Sequence, residues 1–276
     1  MSIGEVVRRT TQYFANAGSA SPRLDADLVI AHALGMTRLQ LYIEFDRPLT
    51  AAELSHAREL VARRGRREPL AYIVGRRAFR RLDLEVSASV LVPRPETEIL
   101  VEWALELAGP SAAVLDWGTG SGAIALALAD ERPDLAVTAI DASAQALSVA
   151  RANAARLEIH VEWILSEGFS SLVGRTFDLV VANPPYLSEA DIAAAPPELG
   201  FEPRMALVAG PRGDEVIAAL ASQSVAHLRP GGALVCEVGD TQADAAVARF
   251  LAVGLVDAQI REDLAGIPRV VVARRP

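Results

Sequence analysis

The stretch VLDWGTGSGAIALALA, Val114 to Ala129, decides the fold. It opens with a few apolar residues, passes through three glycines set among small polar residues, and from Ala123 becomes an unbroken apolar run. A short buried strand, a turn and a buried helix fit that order, and a strand followed by a crossover helix builds a parallel sheet. Gly118, Gly120 and Gly122, with Thr119 and Ser121 between them, let the backbone turn tightly and let a ligand reach the main chain. Asp116 stands at the strand tip before this loop. The following strand ends at Asp141, 23 positions after Gly118, where a carboxylate can accept both hydroxyl hydrogens of a ribose.

The same texture extends from residue 93 to the end of the chain. Strands are expected near 112–115, 136–140, 160–165, 177–182, 233–238, 255–261 and 268–273, and helices near 97–107, 123–130, 144–156, 214–227 and 243–253. The last two strands are joined by a short loop, which demands an antiparallel hairpin at the sheet edge. The expectation is an α/β, Rossmann-like domain over 93–276, with a seven-stranded, mostly parallel sheet.

Before it the periodicity is helical. SPRLDADLVIAHALG carries Ser21 as an N-cap, Pro22 at the first helical position and Gly35 as the stop. TAAELSHARELVARRG begins with a capping box, Thr50 with Glu53. Residues 1–75 read as a small helical bundle and 76–92, with its alternating RLDLEVSASVLV, as a β-hairpin linker. Arg63, Arg64, Arg66, Arg67, Arg76, Arg77, Arg80 and Arg81 crowd the junction. They read either as a solvated surface or as a contact for phosphates or an acidic protein.

Hydrophobic residues make up 51% of the 276, charged residues 22%, and the net charge is −8. That balance describes a folded protein without an overall nucleic-acid or membrane coat. Cys236, the single cysteine, excludes a disulfide framework and fits a reducing cytoplasm as a buried small hydrophobe. The N-terminus lacks a signal-peptide core, no apolar run reaches the roughly 18 residues of a membrane span, and the four histidines show no ligand spacing, so no metal is expected.

The strand FDLVVA stops at Asn183-Pro184-Pro185-Tyr186. Two prolines without N–H groups leave carbonyl oxygens with few competing donors, and Asn183 adds a side-chain oxygen, so the loop is an acceptor-rich pocket for an NH2 group. Holding both hydrogens of a planar amide or aromatic amine favours a pyramidal nitrogen and aims its lone pair at an electrophile. Tyr186 can lay its ring over the planar guest.

The glycine loop alone leaves two cofactors open, because Gly118, Gly120 and Ala123 also satisfy the looser dinucleotide fingerprint of an NAD enzyme. Asp116 favours S-adenosylmethionine, since its charge opposes a pyrophosphate and suits a methionine amino group; the terminal hairpin favours it too. At the next strand tip Glu167 can bond the adenine amine beside Gly168, and Phe169 reads equally as ring stack or core.

With both motifs placed, the chain resembles the class I S-adenosylmethionine-dependent methyltransferases, and among them the release-factor glutamine methyltransferases. PLAYIVG, LVPRPETE, DWGTGSGAIALALA, ANPPY and FEPRMALVAG occur in that family's order and spacing. NPPY is shared with DNA and RNA amino-methyltransferases, so an exocyclic amine of a nucleic-acid base stands as the alternative substrate; a non-catalytic ligand-binding module is the reading from another class. The resemblance implies methylation of the side-chain nitrogen of the glutamine in the Gly-Gly-Gln motif of peptide-chain release factors. It implies that Gly118 to Gly122, Asp141 and Gly168 line the cofactor, that Asn183 to Tyr186 hold the glutamine amide, and that Arg94, Glu96 and Thr97 border the entrance. It further implies that Glu202 and Pro203 support the NPPY loop, and that the N-terminal bundle docks the release factor away from the reacting centre. Relative to the family, Trp117 replaces a smaller residue and Gly168 a bulky one.

Overall fold

Five helices, α1 (Ile3–Asn16), α2 (Pro22–Ala33), α3 (Arg38–Ile43), α4 (Ala51–Gly65) and α5 (Leu70–Val74), account for the regular structure of the N-terminal part. The computed structural model describes residues 1–276 and divides into two units. The first is Met1–Arg76 with Pro196–Phe201; the second is Arg77–Ala195 with Glu202–Pro276. The first unit closes on one apolar cluster that includes Ile3, Val7, Phe14, Val29, Ile30, Leu41 and Leu60. Thr50 and Glu53 form the expected capping box, and Thr37 and Gln40 form a second one. Ser21 stands at the N-cap of α2 before Pro22, but its side chain makes no cap bond. Gly35 has φ +63° just past the end of that helix, where a left-handed residue ends it.

The second unit begins with the hairpin β1 (Arg76–Phe79) and β2 (Leu82–Glu85), followed by α6 (Thr97–Leu107), β3 (Ala113–Trp117), α7 (Ala123–Glu131), β4 (Ala136–Asp141), α8 (Ala144–Leu157), β5 (Glu162–Leu165) and β6 (Phe177–Ala182). Next comes an excursion of β7 (Leu187–Ser188), α9 (Glu189–Ala194), two 3-10 turns and β8 (Val208–Gly210). The chain ends with α10 (Glu215–His227), β9 (Leu228–Glu237), α11 (Ala243–Ala252), β10 (Val256–Glu262) and β11 (Pro268–Arg274).

Seven strands form one sheet in the order β10-β11-β9-β6-β3-β4-β5, parallel except where β11 pairs antiparallel with β9 and β10. This is the expected sheet with its antiparallel edge hairpin. Period-two alternation sorts its side chains onto two faces. Leu179, Val181, Val235 and Val272 join a core with α6 and α7, whereas Val180, Ala182, Leu234, Cys236 and Val271 join one with α10 and α11. Cys236 is buried and free, and burial pushes its thiol pKa up.

The hairpin differs from a free linker. Phe79, Leu82 and Leu84 belong to the same core as the helices of the larger unit. Asn153 of α8, fully buried, donates to the carbonyls of Glu85 and Ser121 and accepts the Glu85 N–H at 2.7 Å. One carboxamide thus ties the hairpin to the back of the glycine loop.

The arginine cluster is largely taken up by the protein's own acceptors. In the first unit Arg63 pairs with Glu68, Arg64 with Asp25 at 2.8 Å and with Glu198, and Arg67 with Glu198 and the carbonyls of Ala17 and Gly18. In the second, Arg77 bonds the Pro93 carbonyl, Arg80 pairs with Glu131 and Glu102, and Arg81 with Asp130. Arg64 is buried, so Arg64→Ala leaves Asp25 charged and under-partnered in an apolar setting; it is expected to destabilise the first unit by about 3 kcal/mol. Scanning calorimetry checks this, and an unchanged transition contradicts it.

Candidate active site

Strand register gathers the chemistry at one edge. Trp117 pairs with Ile140 on one side and with Ala182 on the other, and Ala182 pairs with Cys236. The next residue along each strand, Asp141, Gly118, Asn183 and Glu237, therefore falls in one row across β4, β3, β6 and β9. This is the carboxyl end of the parallel strands. The order reverses between β3 and β6, and ligands bind at such a switch point.

A cavity of about 490 Å³ opens there. Trp117, Gly118, Gly120, Asp141, Glu167, Gly168, Asn183 and Pro185 contribute to its wall. Gly118 and Gly120 have φ +75° and +56°, and a Cβ added to either would meet no atom within 4 Å, so both present bare backbone to open space. Gly122 is different: its added Cβ would lie 3.1 Å from Leu126 and Trp163, which makes it a packing glycine at the start of α7.

Three of the loop's amides are already bonded. Gly118 and Thr119 both donate to the Ile140 carbonyl, and Gly120 donates to Asp141 Oδ2 at 2.9 Å. These three N–H groups are not free for a pyrophosphate, which counts against the dinucleotide reading.

Asp116 lies behind this wall, which corrects the expectation that it meets a ligand amino group directly. It is fully buried, and its Oδ2 accepts the Thr119 hydroxyl at 2.6 Å and the Ala125 N–H at 3.1 Å, tying the loop to the first turn of α7. Burial raises its pKa to about 7. Thr119 and Ser121 are buried beside it and, with Gly122, do not line the cavity. Asp141 does line it, with one oxygen on the Gly120 amide and the other on the Ser143 amide at 2.8 Å; burial moves its pKa upward. Glu167 and Gly168 reach the wall. Phe169 resolves to core, 5% exposed and stacked on His227 with ring centroids 4.6 Å apart.

Asn183 is on the wall, and its Nδ2 donates to Thr97 Oγ1 at 3.0 Å. That bond leaves Oδ1 as the acceptor available to a guest. Pro185 lines the cavity while Pro184 is buried. Tyr186 packs against the core of α10 and α11 and does not line the cavity. Its carbonyl accepts Gln242 Nε2 at 2.9 Å, and burial, then the charge of Glu237, raise its phenol to about 12.

Glu202 accepts the Val92 N–H at 3.0 Å and Arg94 at 2.6 Å, so its hydrogen bonds run to the segment before α6 and not to the NPPY loop, while Pro203 lines the cavity. Arg94 and Glu96 act electrostatically on both Tyr186 and Glu237 and do not line the cavity.

The comparisons with known proteins agree with this architecture. Residues 5–75 match the family described as PrmC N-terminal domain, and residues 95–196 match the methyltransferase small domain. The release factor glutamine methyltransferase of Geobacter sulfurreducens is 41% identical over 99% of this chain and 96% of its own length. That of Koribacter versatilis is 42% identical over 100% and 99%. The chain belongs to the release factor glutamine methyltransferase family. A methyltransferase from Pyrococcus furiosus, 20% identical, superposes with a TM-score of 0.54 over 70% of this chain and 89% of its own, which shows the shared class I fold.

As in this family, the cofactor is S-adenosylmethionine. The residues present fit it: bare backbone at Gly118 and Gly120, an acceptor at Asp141, a second carboxylate at Glu167 and an indole wall at Trp117. Two members of the surrounding cluster were not foreseen from the sequence, Glu237 and Arg269. Glu237 carried a readable signal, being a carboxylate that closes the apolar run ALVCE one strand away from Asn183.

Proposed function

We propose that this protein transfers the methyl group of S-adenosylmethionine to the side-chain amide nitrogen of the glutamine in the Gly-Gly-Gln motif of peptide-chain release factors. The observation that carries the reading is the orientation of Asn183, whose Nδ2 is occupied by Thr97 so that an oxygen is offered beside the glycine-loop cavity.

When bound, the cofactor supplies an electrophilic methyl on a sulfonium. Asn183 Oδ1 and the Pro184 carbonyl accept the two amide hydrogens and aim the nitrogen lone pair at that methyl. Thr97, buried behind Asn183, orients its carboxamide, while Arg94, Glu96 and Tyr186 stand outside the cavity wall and do not border the entrance directly. Asp141 holds the ribose hydroxyls, and Glu167 with Gly168 receives the adenine edge. After the N–C bond forms and the C–S bond breaks, the nitrogen loses a proton to solvent, so no side chain need act as a base.

The N-terminal helical unit docks the release factor, as supported by its match to the family's own N-terminal domain. The cytoplasm, where release factors work, is the proposed compartment, in keeping with the free Cys236 and the absence of any helix long and apolar enough to cross a membrane.

Incubating the enzyme with labelled S-adenosylmethionine and separate pools of release factor, ribosomal RNA and DNA tests this. Label in the release factor, lost when its motif glutamine is changed to alanine, is the expected result. Label in a nucleic-acid pool alone overturns it.

A further inference from the structure

Glu237 ends β9 one strand away from Asn183, 2% exposed, and its Oε2 has no hydrogen-bond partner. Thr97, the first residue of α6 and 4% exposed, stands between the two. Its hydroxyl oxygen accepts the Asn183 Nδ2–H at 3.0 Å, and Glu237 is close enough for the same hydroxyl to lower its pKa.

The chemistry of these groups makes the chain directional. An ionised carboxylate can only accept, so Thr97 must give it the single hydroxyl hydrogen. Thr97 then has only lone pairs left for Asn183, whose carboxamide must turn its NH2 toward Thr97 and its oxygen toward the guest. A neutral Glu237 lifts that requirement. Thr97 can then donate to Asn183 Oδ1, the carboxamide flips, and an NH2 faces the incoming NH2.

We propose that Glu237 is a positioning residue for methyl transfer, acting through Thr97 to fix which end of the Asn183 carboxamide faces the acceptor nitrogen. This deepens the proposed reaction and rests on it only for the identity of the acceptor. Glu237 touches no reacting atom.

Burial lifts the Glu237 pKa to about 7, opposed by the Thr97 hydrogen bond and by the charges of Arg269 and Arg94, and reinforced by Glu96. Tyr186 and Cys236 also feel its charge, but both titrate well above this range. The ionised form is the aligned one, so kcat should rise with pH through about 7 and level off above. Asp116 is raised to about 7 as well, so a variant must separate the two.

Four proteins decide the matter: wild type, Thr97→Ser, Thr97→Val and Glu237→Gln, each checked by thermal unfolding and by equilibrium binding of S-adenosylmethionine. Thr97→Ser keeps the hydroxyl and should retain kcat within about threefold. Thr97→Val, of the same shape, should lose about 30-fold in kcat while the KM for release factor and the cofactor Kd stay within several-fold. In Glu237→Gln the rise through pH 7 should vanish. Its persistence there would assign it to Asp116 and overturn the proposal, as would equal kcat values for the valine and serine variants. If Glu237→Gln does not fold, the pH profile of Thr97→Val decides: its rise through pH 7 should vanish with the relay broken, whereas a rise that persists there belongs to Asp116 and overturns the proposal. The valine-to-serine ratio can be read on whichever nitrogen acceptor takes the label, so its failure is distinct from failure of the release-factor reading.

Discussion

Asn183→Ala should reduce single-turnover methyl transfer by about a thousandfold, near the upper end of what one preorganised polar contact at a reacting group contributes, while changing cofactor affinity by no more than several-fold. The asymmetry follows from how Asn183 is held. It sits on the wall of the cavity, but its one fixed hydrogen bond runs to Thr97, away from Gly118, Gly120 and Asp141. The alanine variant keeps the glycine loop and the ribose acceptor, and so keeps the binding site. It loses the oxygen that holds an amide hydrogen out of plane, and a resonance-stabilised nitrogen that is not held so is a poor nucleophile. Rapid-quench transfer with saturating cofactor, beside equilibrium binding, makes the measurement; transfer at the wild-type rate removes Asn183 from the reaction.

This asymmetry bears on what a sequence can reveal. The sheet was legible because each buried strand of the second half is bounded by glycine, proline or a polar tip, and because a short loop between the last two strands permits only a hairpin. Asn183, Asp141 and the glycine loop were legible for the same reason: polar residues at strand tips stand out against apolar runs. The excursion from Leu187 to Gly210 was not legible. Its strands are two and three residues long, too short to carry a period, and beside them Gly213, whose added Cβ would lie 2.8 Å from the Tyr186 carbonyl, lets backbone meet backbone. Nor was the division of labour within the motifs. Asp116 and Gly118 are two residues apart, yet one is entombed and the other faces the ligand, a distinction made by the Thr119 and Ala125 hydrogen bonds to Asp116 and not by residue type. The arginine cluster suggested an outward partner because its carboxylate partners, Asp25, Glu131 and Glu198, are distant in sequence.

The second large effect separates two glycines that sequence treats alike. Gly120→Leu should raise the Kd for S-adenosylmethionine at least about a hundredfold, while its left-handed backbone at φ +56° adds only about 1–2 kcal/mol of strain. No atom stands within 4 Å of the new Cβ, so the side chain enters the cavity, where it occupies volume the ligand needs. Gly122→Leu should do the reverse. Its Cβ would lie 3.1 Å from Leu126 and Trp163 and 3.2 Å from Ala150, at φ +85°, so α7 must move off α8 or the side chain must leave its rotamer. Overpacking adds about 1–3 kcal/mol to the backbone strain, enough to lower the unfolding temperature by several degrees in the folded fraction that survives. Binding isotherms and thermal unfolding on both variants give a crossed result if the wall has been assigned correctly. A Gly120 variant that binds cofactor normally would mean that the ligand lies elsewhere along the strand tips; a Gly122 variant with unchanged melting would mean that α7 and α8 are packed more loosely than a 3.1 Å clearance allows.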